Sequence, residues 1–215
     1  MNAFYAAFWA EALKARRAAV AWATAAAFLI LPLVGGLFMV ILKNPEQARA
    51  LGLISLKAQL TGGVADWPTF FSILTQGAAV GGSMVFAFIT AWVFGREFSD
   101  HTAKELLALP TPRTTIVGAK FLLTAPWILG LTLLLFAVAV GIGMAVDIPG
   151  WSLALAWGTL ASLLLTACLL LLLMPFVALA ASAGRGYLPP LGWAFATVVF
   201  AQIAVVLGWG DWFPW

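Results

Sequence analysis

The chain has 215 residues, 64% of them hydrophobic and only 9% charged, with a net charge of +3 at pH 7 and a pI near 9.4. Soluble domains hold roughly 45–50% apolar and about 25% charged residues, so this composition cannot build a water-facing surface of normal size and excludes a soluble enzyme. The positive balance does not mark a nucleic-acid binder either, because the basic residues are scattered through short gaps without an aromatic-interleaved patch.

At the start of the chain, Phe4, Tyr5, Phe8, Trp9 and Leu13 recur at helical spacing, with Glu11, Lys14 and Arg17 opposite. This predicts an amphipathic helix over residues 1–17, lying in the membrane surface on its apolar face. It is not a cleavable signal, because the apolar run after Arg17 continues to Leu42, longer than a signal core. Five stretches, 18–42, 69–94, 121–146, 152–183 and 187–209, contain no Asp, Glu, Lys, Arg or His. Each reaches the roughly 20 residues that cross a hydrocarbon core of about 30 Å, and unpaired backbone is too costly in lipid for them to be anything but helices. The expected fold class is therefore all-α, a polytopic helical membrane protein with five spans in a single transmembrane domain, 1–215.

The gap 43–68 opens with Asn44-Pro45-Glu46, which predicts a short surface helix running to about Leu60 and ended by Thr61-Gly62-Gly63. In the second stretch Gly77, Gly81, Gly82 and Ser83 form a small-residue ridge suited to close helix packing. Gln76 and Gln202 are the strongest polar groups within the spans, available for helix–helix hydrogen bonds or for substrate. Pro126 and Pro175 predict kinks in the third and fourth spans. Cys168 is the single cysteine, which leaves no intrachain disulfide and no cysteine cluster for metal; it reads as a packing or lipid-facing residue.

Between the second and third spans, Thr102-Ala-Lys-Glu105 has the spacing of a capping box and is followed by Leu106, Leu107 and Leu109. This predicts a short amphipathic helix over 102–109, stopped by Pro110, after which Thr111-Pro112 launches the third span. Orientation follows from the basic residues. Lys14, Arg16, Arg17, Arg96, Lys104, Arg113, Lys120 and Arg185, eight of the eleven, fall on the side of the N-terminus. The N-terminus is thus expected in the cytoplasm and the chain in the plasma (inner) membrane as a multi-pass protein. Trp67, Trp151, Trp209, Trp212 and Trp215 then gather at the outer interface, where amphipathic rings are expected.

The spans carry no ionisable group at mid-depth, which argues against a proton- or sodium-coupled carrier. His101 is the only histidine and lies in a loop, no H-E-x-x-H occurs, and Ser83 has no partner base in its span, so an intramembrane enzyme is disfavoured and no catalytic or metal residues are assigned. No G-x-x-x-x-G-K-[ST] is present, so the chain has no phosphate-cradling loop of its own.

The run Phe94-Gly-Arg-Glu-Phe-Ser-Asp-His-Thr-Ala-Lys-Glu-Leu-Leu-Ala-Leu-Pro-Thr-Pro-Arg113, closing with Ala119-Lys120, resembles the cytoplasmic loop of type-2 ATP-binding-cassette (ABC) transporter permeases. That family typically carries R-E-x-x-x-x-T-x-K-x-L-L-x-L-P-x-x-R there, and the resemblance is to its bacitracin- and lantibiotic-resistance kind. It extends to Glu11-Ala-Leu-Lys14-Ala-Arg16, Asp66-Trp67-Pro68, Gly186-Tyr187-Leu188-Pro189 and Phe213-Pro214-Trp215, and so covers essentially the whole chain.

The resemblance implies a permease subunit of six spans that dimerises, as a homodimer or with a related permease, and docks a separate ATPase subunit through the helix between spans two and three. Carried over, that ATPase contact consists of Arg96, Glu97, Thr102, Lys104, Glu105, Leu106, Leu107, Leu109 and Arg113. ATP and magnesium would be held by the partner, with no cofactor in this chain. A sixth span is expected beyond Trp215. The implied activity is export of an amphipathic or hydrophobic substrate, such as a peptide antibiotic, by alternating access; the other class left open is a non-transporting scaffold or sensor subunit.

Overall fold

The computed structural model describes residues 3–44, 64–108 and 110–210. They fold into helices α1 (Ala3–Arg17), α2 (Val20–Lys43), α3 (Trp67–Ser99), α4 (Ala103–Ala108), α5 (Arg113–Ala145), α6 (Leu153–Ala183) and α7 (Leu188–Val206). Five of these, α2, α3, α5, α6 and α7, are long and apolar enough to cross a membrane. The chain is a polytopic helical membrane protein.

The central element is α3, which packs against α2, α5, α6 and α7, while α1 lies mainly on α5. The core is made where Phe70, Leu74, Phe86 and Ile89 of α3 meet Phe28 and Met39 of α2, Ile128 and Leu135 of α5, and Leu163 and Met174 of α6, all buried. Large apolar side chains on the outer faces, such as Leu172, Leu179, Phe195 and Val206, stay exposed, as a lipid solvent requires. The small-residue ridge of α3 is used, but in a register of its own. Leu31 lies against Gly77 and the Phe28 ring against Gly82, whereas Gly81 faces open space.

Hydroxyl groups in the spans satisfy themselves along their own helices: Thr90 donates to the Phe86 carbonyl (2.9 Å), Thr124 to Lys120 (2.9 Å) and Thr132 to Ile128 (3.0 Å). In an apolar layer such a bond is the cheapest way to carry a hydroxyl. Gln76 behaves alike, its Nε2 donating to Ser72 Oγ one turn earlier at 2.9 Å. It is exposed, as is Gln202, and neither makes a helix–helix side-chain bond among the described residues. α5 and α6 run through Pro126 and Pro175 as single helices.

Helix starts follow local capping chemistry. Asp66 Oδ1 accepts from the Thr69 N–H (2.9 Å) at α3, and Ser152 Oγ from the Leu155 N–H (3.1 Å) at α6. Four helix ends share one closing motif, in which the N–H two past the cap reaches back to the carbonyl five residues earlier. The bonds are Thr102 to Glu97 (2.9 Å), Ile148 to Gly143 (3.2 Å), Gly186 to Ala181 (3.3 Å) and Trp209 to Ala204 (2.8 Å). The motif needs a left-handed residue, and glycine supplies it only at Gly208; His101, Asp147 and Arg185 adopt φ of 60°, 55° and 53° instead.

One tryptophan of the expected interfacial belt is turned into the bundle. Trp67 is 1% exposed, its ring seated against Gly143 and 4.6 Å from that of Trp151. Periodicity marks where a span begins but not that a glycine on another helix offers a slot for the ring. Trp151 and Trp209 are exposed. Trp212, the Phe213-Pro214-Trp215 segment and the surface helix expected from Pro45 lie outside the described residues.

Candidate functional site

α3 and α5 are 33 residues each, about 50 Å at 1.5 Å per residue, well beyond the roughly 30 Å apolar layer. Nothing in 95–99 or 113–120 breaks a helix, so both overrun the charge-free stretches at the end where α4 joins them. On this overhang sit the charges that the sequence placed just outside the spans.

Glu97 and Lys120 face each other there, 5% and 4% exposed, with Lys120 Nζ donating to Glu97 Oε1 at 2.7 Å. α1 contributes Glu11 and Lys14. Lys14 Nζ donates to Glu11 Oε1 (2.7 Å) and Glu97 Oε1 (3.2 Å), and Lys120 Nζ donates to Glu11 Oε2 (3.3 Å). Each carboxylate thus touches both ammonium groups, giving a closed ring of two acids and two bases drawn from three helices, with no net charge. Lys120 spends its third proton on the Val93 carbonyl and lies 5.6 Å from the centre of the Phe94 ring. Buried charges cost several kcal/mol apiece when unpaired, and here every one is paired. Burial alone would depress the Lys14 pKa, but the hydrogen bond and charge of Glu11, then those of Glu97, outweigh it and hold the group above its ordinary 10.5.

This geometry adds to one expectation. The helix over residues 1–17 was expected to carry Glu11, Lys14 and Arg17 opposite its apolar face; Phe4, Tyr5, Trp9 and Arg17 are exposed, while Glu11 and Ala15 are buried against the protein. Amphipathic spacing separates two faces without telling which one meets the bundle. The decisive fact, complementary charge at Glu97 and Lys120, lies about a hundred residues away in sequence.

α4 spans Ala103–Ala108, one residue shorter at each end than the helix expected from sequence. It opens on the backbone bond from Leu106 N–H to the Thr102 carbonyl (3.0 Å), and the reciprocal side-chain bonds of a capping box are absent among the described residues. Thr102, Lys104 and Glu105 are exposed. Leu106 is half-buried and lines a cleft of about 220 Å³ with Ala6, Ala10 and Lys14 of α1 and Thr111 and Ile116 beyond. Leu107 lies in α4, but its side chain, like all of Leu109, is outside the described residues. Arg96 Nε pairs with Asp100 Oδ2 at 2.9 Å and its guanidinium lies 5.2 Å from the Trp92 ring centre. Arg113 is exposed at the start of α5.

Of the residues singled out from sequence, then, Glu97 joins the ring, Leu106 shares a cleft with α1, and Lys104, Glu105 and Arg113 remain on the surface. Glu11, Lys14 and Lys120 had no assigned role. Their signal was present but weak: Lys120 directly precedes one charge-free stretch and Glu97 closely follows another, opposite charges at the facing ends of a helical hairpin.

A further element is seated beside the ring. A Cβ added at Gly95 would come within 3.1 Å of both the Gly186 carbonyl and the Tyr187 ring, so the turn between α6 and α7 rests closely on α3 at this glycine. No group of three or more His, Cys, Asp or Glu able to hold a metal occurs among the described residues. The ring's contacts fix three helices to one another.

Among known proteins, the family model described as "ABC-2 family transporter protein" matches residues 7–202. The chain is also similar to the bacitracin transport permease protein BCRB of Bacillus licheniformis, 23% identical over 137 residues, which are 62% of this chain and 64% of that protein. The chain thus spans just under two thirds of that relative. No solved structure matches.

Proposed function

The chain belongs to the ABC-2 family of transporter proteins, as a transmembrane subunit of an ABC transporter, and from that premise we propose that it works as an export permease driven by a separate ATPase. In this reading the ATPase subunit, carrying ATP and magnesium, docks on α4 and its flanks: Arg96, Thr102, Lys104, Glu105, Leu106, Leu107, Leu109 and Arg113, with Glu97 held in the ring behind them. The permease acts as a dimer with a second copy or a related chain, and the N-terminus and α4 lie in the cytoplasm, on the side that the basic residues favour.

The observation that carries the reading is the joining of α4 to the spans. A short helix with exposed Lys104 and Glu105 sits on the overhang of two long helices, and the ring binds that overhang to α1. A push on α4 is passed to three helices at once. Charge-free spans suit an amphipathic or hydrophobic substrate, and the relative's printed name points to a peptide antibiotic of the bacitracin type.

The test is Leu106→Asp beside Lys104→Glu in the complex with its ATPase. A carboxylate buried at the contact costs several kcal/mol, so Leu106→Asp should abolish ATPase co-purification and transport while membrane insertion persists. Lys104→Glu, at an exposed position, should weaken both without affecting the fold. Full ATPase recruitment by both variants would remove α4 from the interface. The other reading, a sensor or scaffold, predicts recruitment without ATPase stimulation by any exported compound.

A further inference from the structure

Where the C-terminal end of α1 passes the last turns of α3, a second cleft of about 320 Å³ is lined by Ala10, Leu13, Lys14, Arg17, Ala18 and Arg96. Three of its six residues are cations and none is an acid. Lys14 gives two of its three protons to Glu11 and Glu97, which leaves one. Arg96 engages Asp100 through Nε alone, which leaves the four protons of its two terminal nitrogens. Arg17 is exposed and has no ion-pair partner among the described residues. The ring is neutral and the Arg96–Asp100 pair is neutral, so the charge of Arg17 is uncompensated at the mouth of the cleft.

The depth of this cleft is marked independently. Ala18 lies at the turn into α2, and Trp22, in the first turn of that span, is 82% exposed, as expected of a ring at a membrane interface. On the neighbouring helix, Tyr5 and Trp9 of α1 are 55% exposed on the face turned away from the ring. The cations therefore stand at headgroup level, with apolar surface directly beneath them.

We infer that this cleft binds the phosphodiester of an anionic phospholipid. A phosphate suits the unused donors: two planar guanidinium groups can each grip it through paired N–H bonds, with the Lys14 ammonium as a further point charge. A lipid rather than free phosphate is the source, because the acyl chains continue along the exposed first turns of α2. A bound headgroup would tie the end of α1 to the end of α3, next to the cleft that Leu106 lines, with which it shares Ala10 and Lys14.

The experiment is native mass spectrometry of the full chain purified in detergent with phosphatidylglycerol or phosphatidylcholine. Wild type should retain phosphatidylglycerol in preference to phosphatidylcholine. Arg17→Gln, at an exposed position outside the ring, should weaken that retention about fivefold, the worth of one basic residue at a lipid surface, and Arg17→Gln/Arg96→Gln should weaken it further. Arg185→Gln, an exposed cation elsewhere, should leave it unchanged. Equal retention of the two lipids, or equal phosphatidylglycerol retention by wild type and the double variant, would overturn the inference. Displacement of the lipid by inorganic phosphate alone would overturn the lipid as the source.

Discussion

Glu97 and Lys120, 23 residues apart in the chain, meet at 2.7 Å just beyond the point where α3 and α5 leave the apolar layer. Their contact is the hinge pin of the ring, since Lys120 also holds Glu11 and the Val93 carbonyl. Removing the lysine strands two buried carboxylates on a single remaining cation. Lys120→Met should destabilise the protein by about 3–5 kcal/mol, read as a lowered thermal unfolding midpoint in detergent. Lys120→Met/Glu97→Gln, which restores neutrality, should recover part of the loss. A single variant as stable as wild type would show that the ring carries no energy.

The attachment of α1 should be indifferent to pH across the neutral range. Because the Lys14 pKa is raised above its ordinary 10.5, its contribution is complete below that value. It is lost only as pH rises through the higher value of the folded state. Spin labels on α1 and α5 should keep a constant separation until strongly alkaline pH. Release of α1 near neutrality would contradict this assignment of charge.

At the other end of α3, Trp67 fills the slot left by Gly143. Gly143→Ala places a methyl group where the indole ring stands, and overpacking of this kind costs about 1–3 kcal/mol. The expected result is a lower unfolding midpoint with red-shifted tryptophan emission. Gly81→Ala, which meets nothing within 4 Å, serves as the silent control.

Arg185 holds a left-handed conformation, φ 53°, at the end of α6. An L-residue pays about 1–2 kcal/mol there, while glycine pays mainly in unfolded-chain entropy. Arg185→Gly should therefore stabilise the fold by about 1 kcal/mol or less, with the largest effect on the rate at which the turn on Gly95 opens, measured by hydrogen exchange. Faster exchange at Gly186 and Tyr187 would contradict the argument.

The spans were legible because a bilayer imposes one requirement, an unbroken apolar run of fixed length, and the charge-free stretches meet it without reference to any partner. The short helix before Pro110 was legible from punctuation alone. What stayed hidden was pairing across the fold. Glu11 and Lys14 read only as the side opposite an apolar face until the helix carrying Lys120 was seen beside them, and Trp67 read as an interfacial ring until Gly143 was found opposite. Gly77 and Gly81 looked equivalent on the helical repeat, yet only Gly77 has a leucine against it. Such features depend on a second element that local sequence does not specify.

α3 and α5 are fastened to each other near both ends, by Glu97 with Lys120 at one and by Trp67 with Gly143 at the other. Two rivets through a pair of stiff beams forbid both shear and splaying, so the pair keeps only the freedom to tilt as one body. With half-lengths of about 25 Å, each degree of tilt about the membrane midplane moves the two ends about 0.4 Å in opposite directions. A rotation of ten degrees would therefore carry the Trp67 end sideways by about 4 Å, roughly the width of a methylene chain, for an equal and opposite stroke at the end bearing Glu97.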